Sequence, residues 1–145
     1  MRQGYLIVEA HPDHPNRVRL ITSEHPPSEP TSPSSGLPTR HPRILYAALF
    51  NDLEVAAMHA HTALRRDLVD IDAHLYRTDI LRAVAAVESI ALNHRRIYLD
   101  PELASDPRLG TEIARRQGRL RRQDRVWNGI GLLAVGLLLL KLLLG

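Results

Sequence analysis

Residues 43–77 read RILYAALFNDLEVAAMHAHTALRRDLVDIDAHLYR, and how this stretch folds decides the architecture of the chain. It opens on an apolar run, Ile44 to Phe50, of the length expected for a buried strand. Asn51-Asp52 follows, two short polar side chains suited to accept the unpaired amide hydrogens of a helix start. Leu53 to Arg66 is rich in alanine and other helix formers and carries His59 and His61. Val69, Ile71, Ala73 and Leu75 then alternate with Asp70, Asp72, His74 and Tyr76, the period-two pattern of a strand with one buried face. Thr78-Asp79 offers a second cap, after which Ile80, Leu81, Val84, Val87 and Ala91 recur at helical spacing. The stretch reads strand, helix, strand, helix. One long helix with an eleven-residue repeat is the competing reading, because Tyr46, Leu49, Leu53, Ala57, Ala60 and Leu64 also follow a 3-4 spacing that continues to Leu75. The cap signal inside that helix and the alternation at its end favour the mixed reading.

Upstream, Tyr5–Ala10 and Arg17–Thr22 are β-prone runs on either side of His11-Pro12-Asp13-His14-Pro15-Asn16, which is made of turn formers, so a hairpin is expected. His11 and His14 lack acidic or thiol neighbours at metal-ligand spacing and read as turn residues. From Ser23 to Pro42 the chain is Pro, Ser, Thr and Glu without periodicity, too poor in apolar area to offset its own ordering, and a flexible surface loop is expected. Twenty-odd residues before it cannot fold alone, so the loop interrupts one domain rather than dividing two. The chain has 145 residues, 44% of them hydrophobic, which leaves room for one small domain. It has no cysteine, which excludes disulfides and thiolate metal sites. Its net charge of +3 is mild but uneven, with arginines crowded into 108–125. The first residues lack the apolar core of a secretion signal.

In order, these elements resemble a GIY-YIG nuclease domain of the phage-type branch over roughly residues 4–92. The resemblance is carried by Gly4-Tyr5-Leu6-Ile7-Val8, by Asn16-Arg17-Val18-Arg19-Leu20-Ile21, and by Gly36-Leu37-Pro38-Thr39 leading into Ile44–Phe50. Asn51-Asp52-Leu53-Glu54, then His61 followed by Leu64, and finally Leu75-Tyr76-Arg77 complete it. It implies a small antiparallel sheet with flanking helices, and a family chemistry of phosphodiester hydrolysis by a tyrosine, an arginine and a glutamate holding one divalent metal. Most of those positions are replaced. Ile7 stands for the first motif's tyrosine, with Tyr5 expected on the other face of the strand, and Ile21 stands for the second motif's glycine. No arginine lies in the loop that replaces the arginine-bearing helix before Arg40, and His74 stands for the metal glutamate. Only His61 is retained. An imidazole is a poor exchange for a carboxylate on a hard cation, and without an arginine the developing charge has no stabiliser. No catalytic residue, metal ligand or cofactor is assigned. His61, His74, Arg19 and Arg77 remain the candidates for contact with a ligand or nucleic acid, and a softer metal shared by His61 and His74 with Asp70 or Asp72 is the enzymatic alternative.

Asp100-Pro101 and Asp106-Pro107 read as turns in a connector over 93–110, where Ile97 and Leu99 either add a strand or pack on the domain. A basic helix is expected over 111–125, continuing into Val126–Leu144. Those nineteen residues span about 28 Å as a helix, close to the hydrocarbon thickness of a bilayer. Trp127 lies at one interface and Lys141 snorkels toward the other, while Arg119, Arg121, Arg122 and Arg125 precede the span. By the positive-inside rule the domain faces the cytoplasm, which predicts a tail-anchored, single-pass protein of the inner membrane. The arginines suit anionic headgroups better than nucleic acid, since no aromatic residues are interleaved with them. The expected partners are the bilayer and a protein within it, with nucleic acid a minor expectation. Three roles follow: an inactive nuclease-type domain serving as a binding or assembly module, a membrane-tethered nuclease with a rearranged site, and a small accessory subunit of a membrane complex.

Overall fold

The computed structural model describes residues 2–11, 14–27 and 42–144. The expected hairpin is present as β1 (Gly4–His11) and β2 (His14–Ser23), antiparallel with Ile7 opposite Ile21. The apolar run Arg43–Phe50 forms β3 and pairs with β1 on its other edge, Leu6 opposite Ala48. Alternation along these three strands puts Leu6, Val8, Val18, Leu20, Tyr46 and Phe50 on one face, each no more than 2% exposed. The Pro/Ser-rich segment expected over 23–42 starts at the last residue of β2, and its greater part, 28–41, lies outside the described residues.

α1 (Leu53–Leu64) begins as the caps predict: the Asp52 carboxylate accepts from the Val55 amide at 3.3 Å. Leu53, Ala56, Ala60 and Leu64 form its buried stripe on the sheet's core face. Its start is pressed against the start of β1. The Leu53 amide donates to the Arg2 carbonyl at 2.8 Å, and a Cβ on Gly4 would stand 2.6 Å from a Leu53 methyl and 2.9 Å from the Ser23 carbonyl oxygen.

The single strand expected over Val69–Leu75 is not formed. A 3-10 turn at Arg65–Asp67 leads into two three-residue strands, β4 (Leu68–Asp70) and β5 (Leu75–Arg77), joined by a turn. The Asp70 carboxylate accepts from the amides of Asp72 and Ala73 at 2.9 and 3.1 Å, so a side chain supplies the hydrogen bonds a continuing strand would have used. The turn also resets the alternation: Val69 and Ile71 are exposed, and Tyr76 is the residue that reaches the core. A single long helix through this region is excluded by the same strands.

α2 (Ile80–Glu88) follows, with Asp79 at the cap position but without a capping side-chain bond. β6 (His94–Leu99) pairs with β3 and takes up the open choice at Ile97 and Leu99, so the sheet extends into the expected connector. The whole sheet is antiparallel in the order β4-β5-β2-β1-β3-β6. α3 (Pro101–Ala104) is one turn capped by the buried Asp100, which also binds the Arg43 guanidinium at 2.8 Å. α4 then runs from Pro107 to Leu144, starting four residues before the expected Thr111 because Pro107 suits a first helical turn. Leu109 is buried and Ile113 packs on the core, which fixes the first turns of α4 against α2. The fold is α+β, a six-stranded antiparallel sheet with helices and a long apolar C-terminal helix.

Gly4→Ala would push a methyl into a backbone carbonyl that cannot rotate away. It should destabilise the chain by about 1–3 kcal/mol, read as a lower melting temperature of the detergent-solubilised protein. An unchanged melting temperature would show that the β1–α1 approach is looser than the distances state.

Candidate functional site

Of the four ligand-contact candidates, the structure brings His61 and His74 together. His61 is in the last turn of α1 and His74 ends the β4–β5 turn, their ring centroids 4.7 Å apart. The third member is Tyr76 on β5, 1% exposed, whose hydroxyl is hydrogen-bonded to His61 Nδ1. Burial raises the Tyr76 phenol above its ordinary range, so the hydroxyl in this bond keeps its proton. Burial, with a smaller contribution from His74, holds the His61 imidazole below its ordinary 6.5.

His74 has a φ of +49°, the left-handed region that a residue with a Cβ seldom takes. Two backbone bonds hold it there: its amide donates to the Ile71 carbonyl at 3.3 Å, and its carbonyl accepts from the Leu20 amide at 3.1 Å. The turn is thereby docked on β2 and presents the His74 ring to α1.

Arg19 and Arg77 do not join this cluster. Val18 and Tyr76 are register partners on the core face, so their neighbours Arg19 and Arg77 point to the opposite face. Arg19 lies there 3.9 Å from the Glu9 carboxylate, whose burial raises its pKa while Arg19 lowers it. Tyr5 and Ile7 are two apart on β1 and share that same face, contrary to the expectation that they oppose each other. The shared-metal alternative is not supported by the geometry: Asp70 Oδ1 is engaged by the turn amides, and among the described residues no three His, Asp or Glu side chains converge as a metal set. His59 is exposed, as a solvent-facing helix residue.

A second polar centre was not apparent from the sequence. Glu88, at the end of α2, accepts from the Tyr46 hydroxyl and from Arg96 at 2.6 Å, with His94 Nε2 at 3.8 Å. Burial, then Glu88 itself, raises the Tyr46 phenol far above its ordinary range. Tyr46 lies inside an apolar run and Glu88 is 42 residues further along the chain, so no local pattern connects them. Tyr76 was hidden differently: strand alternation assigned it to the solvent side, and the Asp70 turn reversed the parity.

The membrane-interface candidates Arg119, Arg121, Arg122, Arg125, Trp127 and Lys141 are all exposed along α4. Its apolar part is long enough to cross a membrane, and none of it is buried against the domain. Compared with family models, curated proteins and solved structures, the chain gives no match.

A base whose pKa is depressed by folding binds protons more readily when unfolded. The His61 contribution to stability is therefore complete above its ordinary pKa of 6.5 and is lost as pH falls below it. Lowering pH from about 7 to about 5 should lower the melting temperature, and His61→Gln, which keeps an acceptor for Tyr76, should flatten that dependence. Parallel pH profiles for the two proteins would refute the assignment.

Proposed function

We propose that this chain is a membrane-anchored, catalytically silent GIY-YIG-type domain that acts as a binding or assembly module at the cytoplasmic face of the inner membrane. The observation that carries the reading is the His61–Tyr76–His74 cluster. At the position where the resemblance implies a metal-holding glutamate stands an imidazole, locked in a left-handed turn and facing a second imidazole. His61 Nδ1 is engaged by Tyr76, and among the described residues no carboxylate completes a metal-holding group. The divalent metal of the family does not fit these residues, since a hard cation needs oxygen donors and the nearby Asp70 carboxylate already serves its turn.

Anchoring is supported by the exposed apolar half of α4, and the cytoplasmic orientation by the arginines that precede it. A site stripped of reactive groups on an intact sheet suits recognition rather than turnover. The binding role follows from that combination: a sheet domain joined to the anchor by a helix packed against α2.

Full-length protein in detergent, incubated with duplex and single-stranded DNA and Mg²⁺ or Mn²⁺, should cut no faster than a His61→Ala variant. Cleavage that disappears in that variant would overturn the reading. Protease added to inside-out vesicles should digest the domain, and protection there would overturn the orientation.

A further inference from the structure

α1, α2 and the first half of α4 enclose a groove of about 1180 Å³ lined by seven arginines and only two carboxylates, Asp79 and Glu112. Its walls come from three elements. Arg65 and Arg66 stand at the end of α1, Arg82 on α2, and Arg116 and Arg119 on α4. The carboxylates do not balance them. Glu112 is shared by Arg115 at 3.6 Å and Arg116 at 3.3 Å, Arg82 reaches Asp67 at 3.5 Å, and Arg108 pairs with Asp106 at 2.8 Å. Arg65, Arg66 and Arg119 have no ion-pair partner among the described residues. Burial lowers the Arg116 pKa, Glu112 opposes that, and Arg82 and Arg119 add repulsion. Arg116 is the partly buried member of the set, and a counter-anion in the groove would relieve its repulsion with Arg82 and Arg119.

Position and lining narrow the anion. Arg119 lies seven residues before Val126, about 10 Å along a helix, so the groove opens just beneath the headgroup layer of a bilayer that α4 crosses. Guanidinium forks match phosphate oxygens in pairs, better than they match a single carboxylate held at a distance. No Phe, Tyr or Trp lines the groove to stack bases, whereas Leu81, Ile90 and Leu120 give it an apolar strip suited to a lipid stem.

We propose that this groove binds the headgroup of an anionic lipid carrying more than one phosphate. The proposal rests on the membrane anchoring above and is independent of the nuclease resemblance. The shared chemistry, clustered phosphates, is also offered by soluble polyphosphates and by a nucleic-acid backbone, and the test separates them.

The full-length chain in neutral detergent micelles is titrated with cardiolipin or phosphatidylcholine, and bound lipid is read by native mass spectrometry. Without a charged bilayer, general surface attraction is absent. Cardiolipin should remain as a one-to-one adduct and phosphatidylcholine should not. R116Q/R119Q should weaken the adduct by at least about tenfold, and so should R65Q/R66Q on the opposite wall. R65Q/R66Q changes only exposed side chains, which keeps the test valid if R116Q/R119Q unfolds. R17Q/R95Q removes the same charge from the sheet, outside the groove, and should change affinity by less than about twofold. Equal cardiolipin retention in all variants overturns the proposal. So does displacement of cardiolipin by equimolar inorganic pyrophosphate, which would assign the groove to a soluble anion, or tighter binding of duplex DNA through the same arginines. Alkaline extraction of native membranes separates the two levels: a chain that stays in the pellet yet binds no lipid sinks this inference alone, and a released chain sinks the anchor.

Discussion

The structure depends on the burial of α2. Ala83, Val84, Ala85, Ala86 and Val87 are consecutive and none is more than 2% exposed, while Arg82 keeps its side chain half-exposed at the groove. The sheet lies beneath it, α1 beside it and the start of α4 against its outer side. A nine-residue helix with two valines has little stability of its own, and burial supplies what propensity does not. Alanine makes the arrangement possible, because three layers can close on a helix only if its side chains are short. The consequence reaches the membrane: α4 is held by the same helix that packs on the sheet.

Polar ties at the ends of α2 hold its direction. Glu88 sits at the helix C-terminus, where a negative charge meets the negative end of the helix dipole. It is stable there because Arg96 on β6 and the Tyr46 hydroxyl on β3 converge on it. A partly buried carboxylate satisfied by two partners fixes geometry more than it adds energy. Near the other end, Arg82 reaches back to Asp67 beside α1. The histidine cluster benefits from this frame. His61 and Tyr76 meet only because α1 and β5 are both registered on the same sheet, and the His74 turn is docked on β2 by its carbonyl.

Much of this was legible in the sequence, and the failures have physical causes. The hairpin, the Asp52 cap and the β3 strand follow from local rules that tertiary structure did not override. At Val69–Leu75 local alternation was misleading, because an aspartate side chain can satisfy turn amides as well as a neighbouring strand can. One such turn inverted the parity of everything after it, which put Tyr76 in the core and Arg77 on the far face. For the candidate site, the residue pair His61 and His74 was legible but not its tyrosine partner. The arginine groove was half visible. Arg108, Glu112, Arg115, Arg116, Arg119 and Gln123 fall on one helical stripe, yet as a continuous basic run they read as a uniform juxtamembrane flank. The opposing arginines at 65, 66 and 82 come from elements whose packing no local pattern predicts.

α4 joins these two halves of the molecule mechanically. It is one helix of 38 residues with no proline after Pro107, and its glycines meet no neighbour that would require their small size. Leu109 and Ile113 clamp its first turns to the domain, while its apolar end is free of protein contact. A helix without a hinge transmits orientation, so the angle of the sheet to the apolar half of α4 is set where α4 meets α2. Arg108, Arg115, Arg116 and Arg119 of the groove lie on that same helix. An anion seated between α1, α2 and α4 would therefore brace the junction that sets the angle, and its binding energy would favour one orientation of the domain over the others. Under the proposed reading, recognition at the groove and posture at the membrane would be a single equilibrium, coupled through the packing of one alanine-rich helix.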